Sequence, residues 1–271
     1  MFSAGDSYDL FMGRWSARLA PLLVQFARVK DGDDVLDVGC GTGSLAAAAA
    51  AAAPASHVVG VDRSEPYVAV ARARHQSPRM QFEVGDAQQL PFGEASFDRA
   101  MSLLTLNFVP DPHKALAEMI RVTRPGGIVA SAVWDYGEGM EMLRVFWDEA
   151  TALDPCADSK DERHTPLCRA GELAALWDGH LEDVRETAFA IETSYSSFEN
   201  YWSPFLRQQG PAGAHVATLS AGDRDRLESR LRQRLLGDRG DGPIVLRARA
   251  WAAQGVVAAR STNVERGVSR P

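Results

Sequence analysis

The sequence predicts an α/β fold: a doubly wound, seven-stranded, mostly parallel sheet with helical lid insertions. Short buried-strand runs from Val35 to Trp134 alternate with helix-length segments, the pattern of a parallel sheet covered on both faces. The first run, Val35-Leu36-Asp37-Val38, leads directly into Gly39-Cys40-Gly41-Thr42-Gly43, a loop with glycine at every second position. An alanine run from Ala46 to Ala53 follows and stops at Pro54. The order strand, glycine turn, helix is then reinforced by acids at three successive strand ends, Asp37, Asp62 and Asp86.

In the glycine loop, bare backbone lets a ligand approach closely, and the helix start offers free N–H groups to an anion. The dinucleotide fingerprint spaces its glycines G-x-G-x-x-G and delivers a pyrophosphate to the helix. Here the spacing is G-x-G-x-G, with Asp37 at the loop entrance. A carboxylate there repels a pyrophosphate and suits an α-ammonium group. The loop therefore resembles the first motif of class I S-adenosylmethionine-dependent methyltransferases.

The later elements follow in order. His57-Val58-Val59-Gly60-Val61-Asp62 reads as a second buried strand, whose terminal acid can accept hydrogen bonds from both ribose hydroxyls. Taken alone, this strand suits an NAD enzyme equally well. Met80 to Phe92 reads as a third strand and an acidic turn. Ser96 to Leu103 is a fourth strand, leading through Leu104 to Pro112 into a helix. Arg121 to Trp134 is a helix end, a turn and a fifth strand. The resemblance implies a Rossmann-like fold that binds S-adenosyl-L-methionine and releases S-adenosyl-L-homocysteine. It places Asp37, Gly39, Cys40, Gly41, Gly43, Asp62, Arg63, Asp86, Ala87, Ser102 and Leu103 on the cofactor. In that family the acid matching Asp86 accepts from the adenine amino group, and the next backbone N–H, that of Ala87, meets a ring nitrogen.

Beyond Trp134, Glu138 to Asp154 has helical spacing, Asp154 to Pro166 reads as a polar loop, and Arg169 to Trp177 as a helix. Leu181 to Thr193 alternates as a strand. A helical insertion runs from Ser197 to about Gly237, and Pro243 to Val257 closes as the last strand, expected antiparallel at the sheet edge. The chain thus divides into an N-terminal helical arm (1–30), a cofactor-binding half (31–135), a lid insertion (136–168), a core helix and strand (169–194), a helical lid insertion (195–240), the last core strand (241–258) and a tail (259–271) expected to fray.

The 271 residues, 45% hydrophobic and 24% charged, suit one α/β domain with insertions. Cys40, Cys156 and Cys168 are odd in number and lack C-x-x-C spacing, so neither a disulfide framework nor a metal site is expected. The start Met1-Phe2-Ser3-Ala4-Gly5-Asp6 has no secretory pattern, and the apolar run from Leu45 to Ala55 is too short to span a bilayer. A cytoplasmic protein without a membrane partner is expected. The net charge is −7, lysine occurs only at positions 30, 114 and 160, and the arginines from Arg224 to Arg249 alternate with acids. That is a solvated face rather than a phosphate track, so no nucleic-acid partner is expected. The oligomeric state stays open.

The start Tyr8-Asp9 resembles the N-terminal arm of methyltransferases of ubiquinone and menaquinone biosynthesis, which folds over the cofactor. Tyr8, Met12, Arg14, Trp15, Tyr201 and Trp202 are candidates to cover cofactor and substrate; equally, the apolar ones form a stripe that glues the arm and insertion to the core. Methyl transfer demands alignment more than acid–base help, so candidate catalytic residues are few. Asn107 follows strand four, and His164 and His215 fall in the lid segments. His57, His75, His113 and His180 lie away from the pocket.

The expected function is S-adenosylmethionine-dependent methyl transfer to a small-molecule O, N or C nucleophile by in-line displacement. A non-catalytic S-adenosylmethionine-binding sensor or scaffold is the alternative, and an NAD-dependent oxidoreductase is the third reading, disfavoured by the glycine spacing and Asp37.

Overall fold

A computed structural model describes residues 13–208 and 210–259. Its strands are β1 (Asp34–Val38), β2 (His57–Asp62), β3 (Met80–Val84), β4 (Phe97–Leu103), β5 (Thr123–Trp134), β6 (Glu182–Tyr195) and β7 (Ile244–Val256). They form one sheet in the order β3-β2-β1-β4-β5-β7-β6. The first five pair in parallel, and β7 pairs antiparallel with both β5 and β6. The last strand is therefore antiparallel but not at the edge, which corrects the expected position. Small residues explain it: Ala248, Ala250, Ala252 and Ala253 of β7 are buried and suit a strand flanked on both sides. The edge falls to β6, whose Glu182, Asp183, Arg185 and Glu192 are exposed, as an edge that resists further pairing requires.

Helices α1 (Arg14–Phe26), α2 (Ser44–Ala52) and α3 (Glu65–Arg74) cover one face. Leu19, Leu23, Leu45, Ala49 and Val68 pack there with Val35, Val58, Met101 and Ala130. Helices α4 (Pro112–Val122) and α6 (Glu172–Trp177) cover the other, where Leu116, Met119, Leu173 and Trp177 meet Leu36, Val38, Val129 and Val133. The alternation within β1 and β5 is the two-residue period of a strand.

Helix α5 (Glu141–Leu153) follows β5, and α7 (Phe198–Leu206), α8 (Gly210–Thr218) and α9 (Ala221–Leu236) intervene between β6 and β7. Phe146, Trp147, Tyr201, Phe205, Val216 and Leu231 extend the α1-side core into these helices. The segment expected as a polar loop instead forms two 3-10 turns, Pro155–Lys160 and Glu162–His164. It is polar yet anchored, for Asp161 and Glu162 are buried, and Asp161 holds the guanidinium groups of both Arg144 and Arg163.

Candidate active site

The strand order reverses between β1 and β4, and a crevice at such a reversal is where open α/β sheets bind ligands. A cavity of about 540 Å³ lies there, within the usual range for small-molecule sites.

The glycine loop forms one wall. Gly39, Gly41 and Gly43 all have positive φ, at 76°, 52° and 91°, the region that side chains with a Cβ rarely enter. The N–H groups of Gly39 and Cys40 both donate to the Val61 carbonyl, at 2.7 and 3.0 Å. Gly41 donates to Asp62 Oδ2 at 2.9 Å, and Ser64 to its Oδ1 at 2.8 Å. The acid ending β2 thus organises the loop ending β1 while keeping lone pairs for a ligand.

Asp37 is the most confined acid of the site. Its Oδ2 accepts from Ala46 N at 3.0 Å in the first turn of α2, and its buried Oδ1 has no partner among the described residues. Burial pushes its pKa up to about 7, opposed by the Ala46 bond and aided by the nearby Asp62 charge. An ammonium brought beside Oδ1 would satisfy the orphaned atom and favour the charged form. Asp86 is exposed, and hydrogen bonds from Gln88 N and Nε2 hold its carboxyl below the ordinary value.

Of the sequence-predicted cofactor residues, Asp37, Gly39, Cys40, Gly41, Asp62, Arg63, Asp86, Ala87 and Leu103 share this cavity wall. Gly43 and Ser102 do not. A Cβ on Gly43 would meet the ring of His75 at 2.6 Å and Phe82 at 3.2 Å, so this glycine serves packing. His75 in turn sits 3.2 Å from the Thr42 carbonyl and supports the loop from behind. Ser102 is fully buried, on the opposite side of the pleat from Leu103.

Tyr8 and Met12 lie outside the described residues. The remaining cover candidates form glue rather than wall. Trp15 packs edge-on against Tyr195. The Arg14 guanidinium lies over both rings and donates to Asn200 Oδ1 at 3.3 Å. Tyr201 donates its hydroxyl to the Met142 carbonyl at 3.0 Å, and Trp202 packs on Phe205. None of these four lines the cavity.

The catalytic candidates also lie off the wall. Asn107 is buried within the 3-10 turn Leu106–Phe108, and its neighbours Thr105 and Phe108 face the cavity instead. His164 is exposed and sits 3.3 Å from Asp158. His215 is buried against Trp147, 3.4 Å from Lys160; burial and that ammonium lower its pKa.

The cavity lining also contains residues the sequence did not single out, among them Phe108, Trp134, Tyr136, Leu143, Glu162 and Pro211. Phe108, 58% exposed, meets Tyr136 edge-on at 6.4 Å and marks the mouth.

Residues 36–131 match the family of methyltransferase domains. The chain is 29% identical over 238 residues to an uncharacterised protein of Mycobacterium tuberculosis, covering 84% of this chain and 85% of that one. It is 39% identical over 170 residues to an O-methyltransferase of Penicillium expansum, covering 60% of each. The fold is shared with the YcgJ protein of Bacillus subtilis, with a TM-score of 0.59 and 20% identity over 91% of this chain and 99% of that one. The match at 36–131, together with the shared fold, supports the resemblance to the class I S-adenosylmethionine-dependent methyltransferases. S-adenosylmethionine is the cofactor of that family.

Proposed function

We propose that the protein transfers a methyl group from S-adenosylmethionine to a small-molecule acceptor held in the same cavity. The observation that carries this reading is the make-up of that cavity's lining. It joins the glycine loop and three strand-end acids with the apolar and aromatic side chains of Trp134, Tyr136, Leu143 and Pro211.

The residues present fit the cofactor. Gly41 lines the cavity, and among the described residues no atom beyond Gly41 and its two chain neighbours lies within 4 Å of where its Cβ would stand, so backbone is open to a ligand. The orphaned Oδ1 of Asp37 suits an α-ammonium, Asp62 suits ribose hydroxyls, and Asp86 with the Ala87 N–H suits the adenine edge. Arg63 and Leu103 complete this side. When bound, the cofactor supplies a methyl group on a sulfonium, already an excellent leaving group. The chain aligns the acceptor and excludes water, and α5, α7 and α8 form the lid through which Leu143 and Pro211 reach the cavity.

Calorimetry tests the reading. S-adenosylmethionine and S-adenosylhomocysteine are expected to bind in the micromolar range and NAD not at all. Absence of S-adenosylhomocysteine binding, or preference for NAD, overturns it. Binding without turnover of any metabolite in a broad library favours the sensor or scaffold instead.

A further inference from the structure

Four acids line the cavity among the described residues: Asp37, Asp62, Asp86 and Glu162. Three end strands and belong to the cofactor side under the proposal above. Glu162 does not. It comes from the turn between α5 and α6, and it shares the cavity lining with Trp134, Tyr136, Leu143 and Pro211.

Glu162 is 5% exposed and rigidly held. One carboxylate oxygen accepts from the Trp147 indole N–H, and the other from Ala212 N at 3.3 Å. Each oxygen keeps a free lone pair. Among the described residues no basic side chain forms an ion pair with it, because Arg144 and Arg163 both bind the adjacent Asp161. An acid in an apolar wall without a cation is costly to keep ionised. It gains most from a neighbour that donates a proton.

We infer that Glu162 is the general base for a hydroxylated aromatic acceptor, a class that the aromatic wall accommodates. The inference rests on the methyl-transfer reading. The acceptor O–H breaks and its proton passes to the Glu162 carboxylate. The oxygen lone pair forms the O–CH₃ bond as the CH₃–S bond breaks and its electrons return to sulfur, leaving a neutral thioether. The carboxylic acid then releases its proton to water. An ammonium acceptor fits less well: a carboxylate stabilises its charge and keeps the nitrogen lone pair tied up by the proton.

Burial pushes the Glu162 pKa up to about 7, aided by the Asp161 charge and opposed by hydrogen bonds from Trp147, Ala212 and its own backbone. That value suits a base working near neutrality. The other charged or titratable groups around it are Arg144, Arg163, Lys160 and His215. None has a hydrogen bond or ion pair with the Glu162 carboxylate.

The test combines a titration with turnover. In carboxyl-¹³C-glutamate-labelled protein, the resonance absent from Glu162→Gln is expected to titrate near pH 7. It should shift with p-cresol and not with the O-methyl ether of p-cresol, which has no proton to give. With S-adenosylmethionine saturating at every pH, so that Asp37 ionisation does not enter, and a panel of phenols, kcat/KM for the phenol should rise with pH to a plateau above about 7, following ionisation of the base. Glu162→Gln should lose about a hundredfold or more in kcat with unchanged S-adenosylhomocysteine affinity. The loss should shrink for 4-nitrophenol, which ionises unaided, and Glu162→Asp should recover part of it.

A Glu162 resonance unaffected by p-cresol overturns the inference. So does equal loss for p-cresol and 4-nitrophenol, or an unaltered pH profile in Glu162→Gln; each marks Glu162 as only a clamp between Trp147 and α8. Turnover of amines but no phenol also overturns it. If Glu162→Gln fails to fold, the wild-type pH profile and the p-cresol response, with the resonance assigned from Glu162→Asp, still decide. Failure of the methyl-transfer reading is separate, because it appears as absent S-adenosylhomocysteine binding.

Discussion

The Thr105 hydroxyl donates to the Gly39 carbonyl at 3.1 Å, and a Cβ built on Gly39 would lie 2.2 Å from Thr105 Cγ2. The residue just beyond β4 thus clasps the loop that ends β1, across the point where the strand order reverses. The clasp works only if the loop residue has no side chain.

Gly39 and Gly41 should therefore respond differently to alanine. Gly39→Ala meets both a positive φ and Thr105, so it should cost stability by about 1–3 kcal/mol from overpacking plus ~1–2 kcal/mol of backbone strain. Thr105→Ala, which removes the two nearest clashing atoms, should recover part of that loss in a double-mutant cycle. Gly41→Ala meets no atom of the described residues beyond its chain neighbours and should cost only the strain, while cofactor affinity falls steeply. Chemical denaturation and calorimetry on the same variants separate the two effects. Tight binding by a folded Gly41→Val protein would show that this loop is not the cradle.

Asp62→Ala should weaken S-adenosylhomocysteine binding by about 1.5–3 kcal/mol, the range for charge-assisted hydrogen bonds. The same change frees the N–H groups of Gly41 and Ser64, so circular dichroism must accompany the titration. Unchanged affinity in the folded variant removes Asp62 from the ribose site.

Asp37 should make both stability and binding depend on pH. Its folded pKa, about 7, lies above the ordinary 3.8, so between these values the native state holds a proton that the unfolded chain has lost. Its contribution to stability is then greatest below about pH 4, falls as pH rises and levels off above about 7. A ligand ammonium requires the ionised form, so S-adenosylhomocysteine should bind more tightly at pH 7 than at pH 6, by up to about tenfold, with release of a proton. Calorimetry in two buffers of different ionisation enthalpy measures that proton. Asp37→Asn should abolish its release.

Trp15→Ala should destabilise the fold by about 3–5 kcal/mol, the usual loss for a large buried aromatic. The indole is 4% exposed and packs on Tyr195 at the end of β6. Thermal unfolding checks this. A change confined to acceptor affinity, with stability intact, would return Trp15 to the pocket wall.

The glycine-loop part of the cavity was legible because its residues are local in sequence. A strand, a glycine loop and an acid occupy a few consecutive positions, and their spacing alone implies the turn and the chemistry. The rest of the lining was not. Glu162 lies in a run of polar residues with no apolar period, and only its packing against Trp147 and α8 buries it. Ser102 and Leu103 show the same boundary at finer scale: adjacent residues on one strand, of which the pleat turns only one toward the cavity. Tyr201 and Trp202 are aromatic in either role, and their buried contacts with Met142 and Phe205 decide between wall and glue. The placement of β7 depended on long-range pairing, which no local pattern encodes.

Tyr195 and Ile244 occupy one rung of the β6–β7 ladder, so the three helices between them leave and rejoin the sheet at points about 5 Å apart. The insertion is in effect an oversized hairpin loop. Its length, order and composition can change without altering the separation its ends must bridge, and the long ladder beneath holds its register independently. Exchange of this one connection therefore alters Pro211 at the cavity and the Ala212 N–H that holds Glu162, while Trp134, Tyr136, Leu143 and the glycine loop stay as they are. A chimaera with a two-residue turn in place of 196–243 tests that modularity directly.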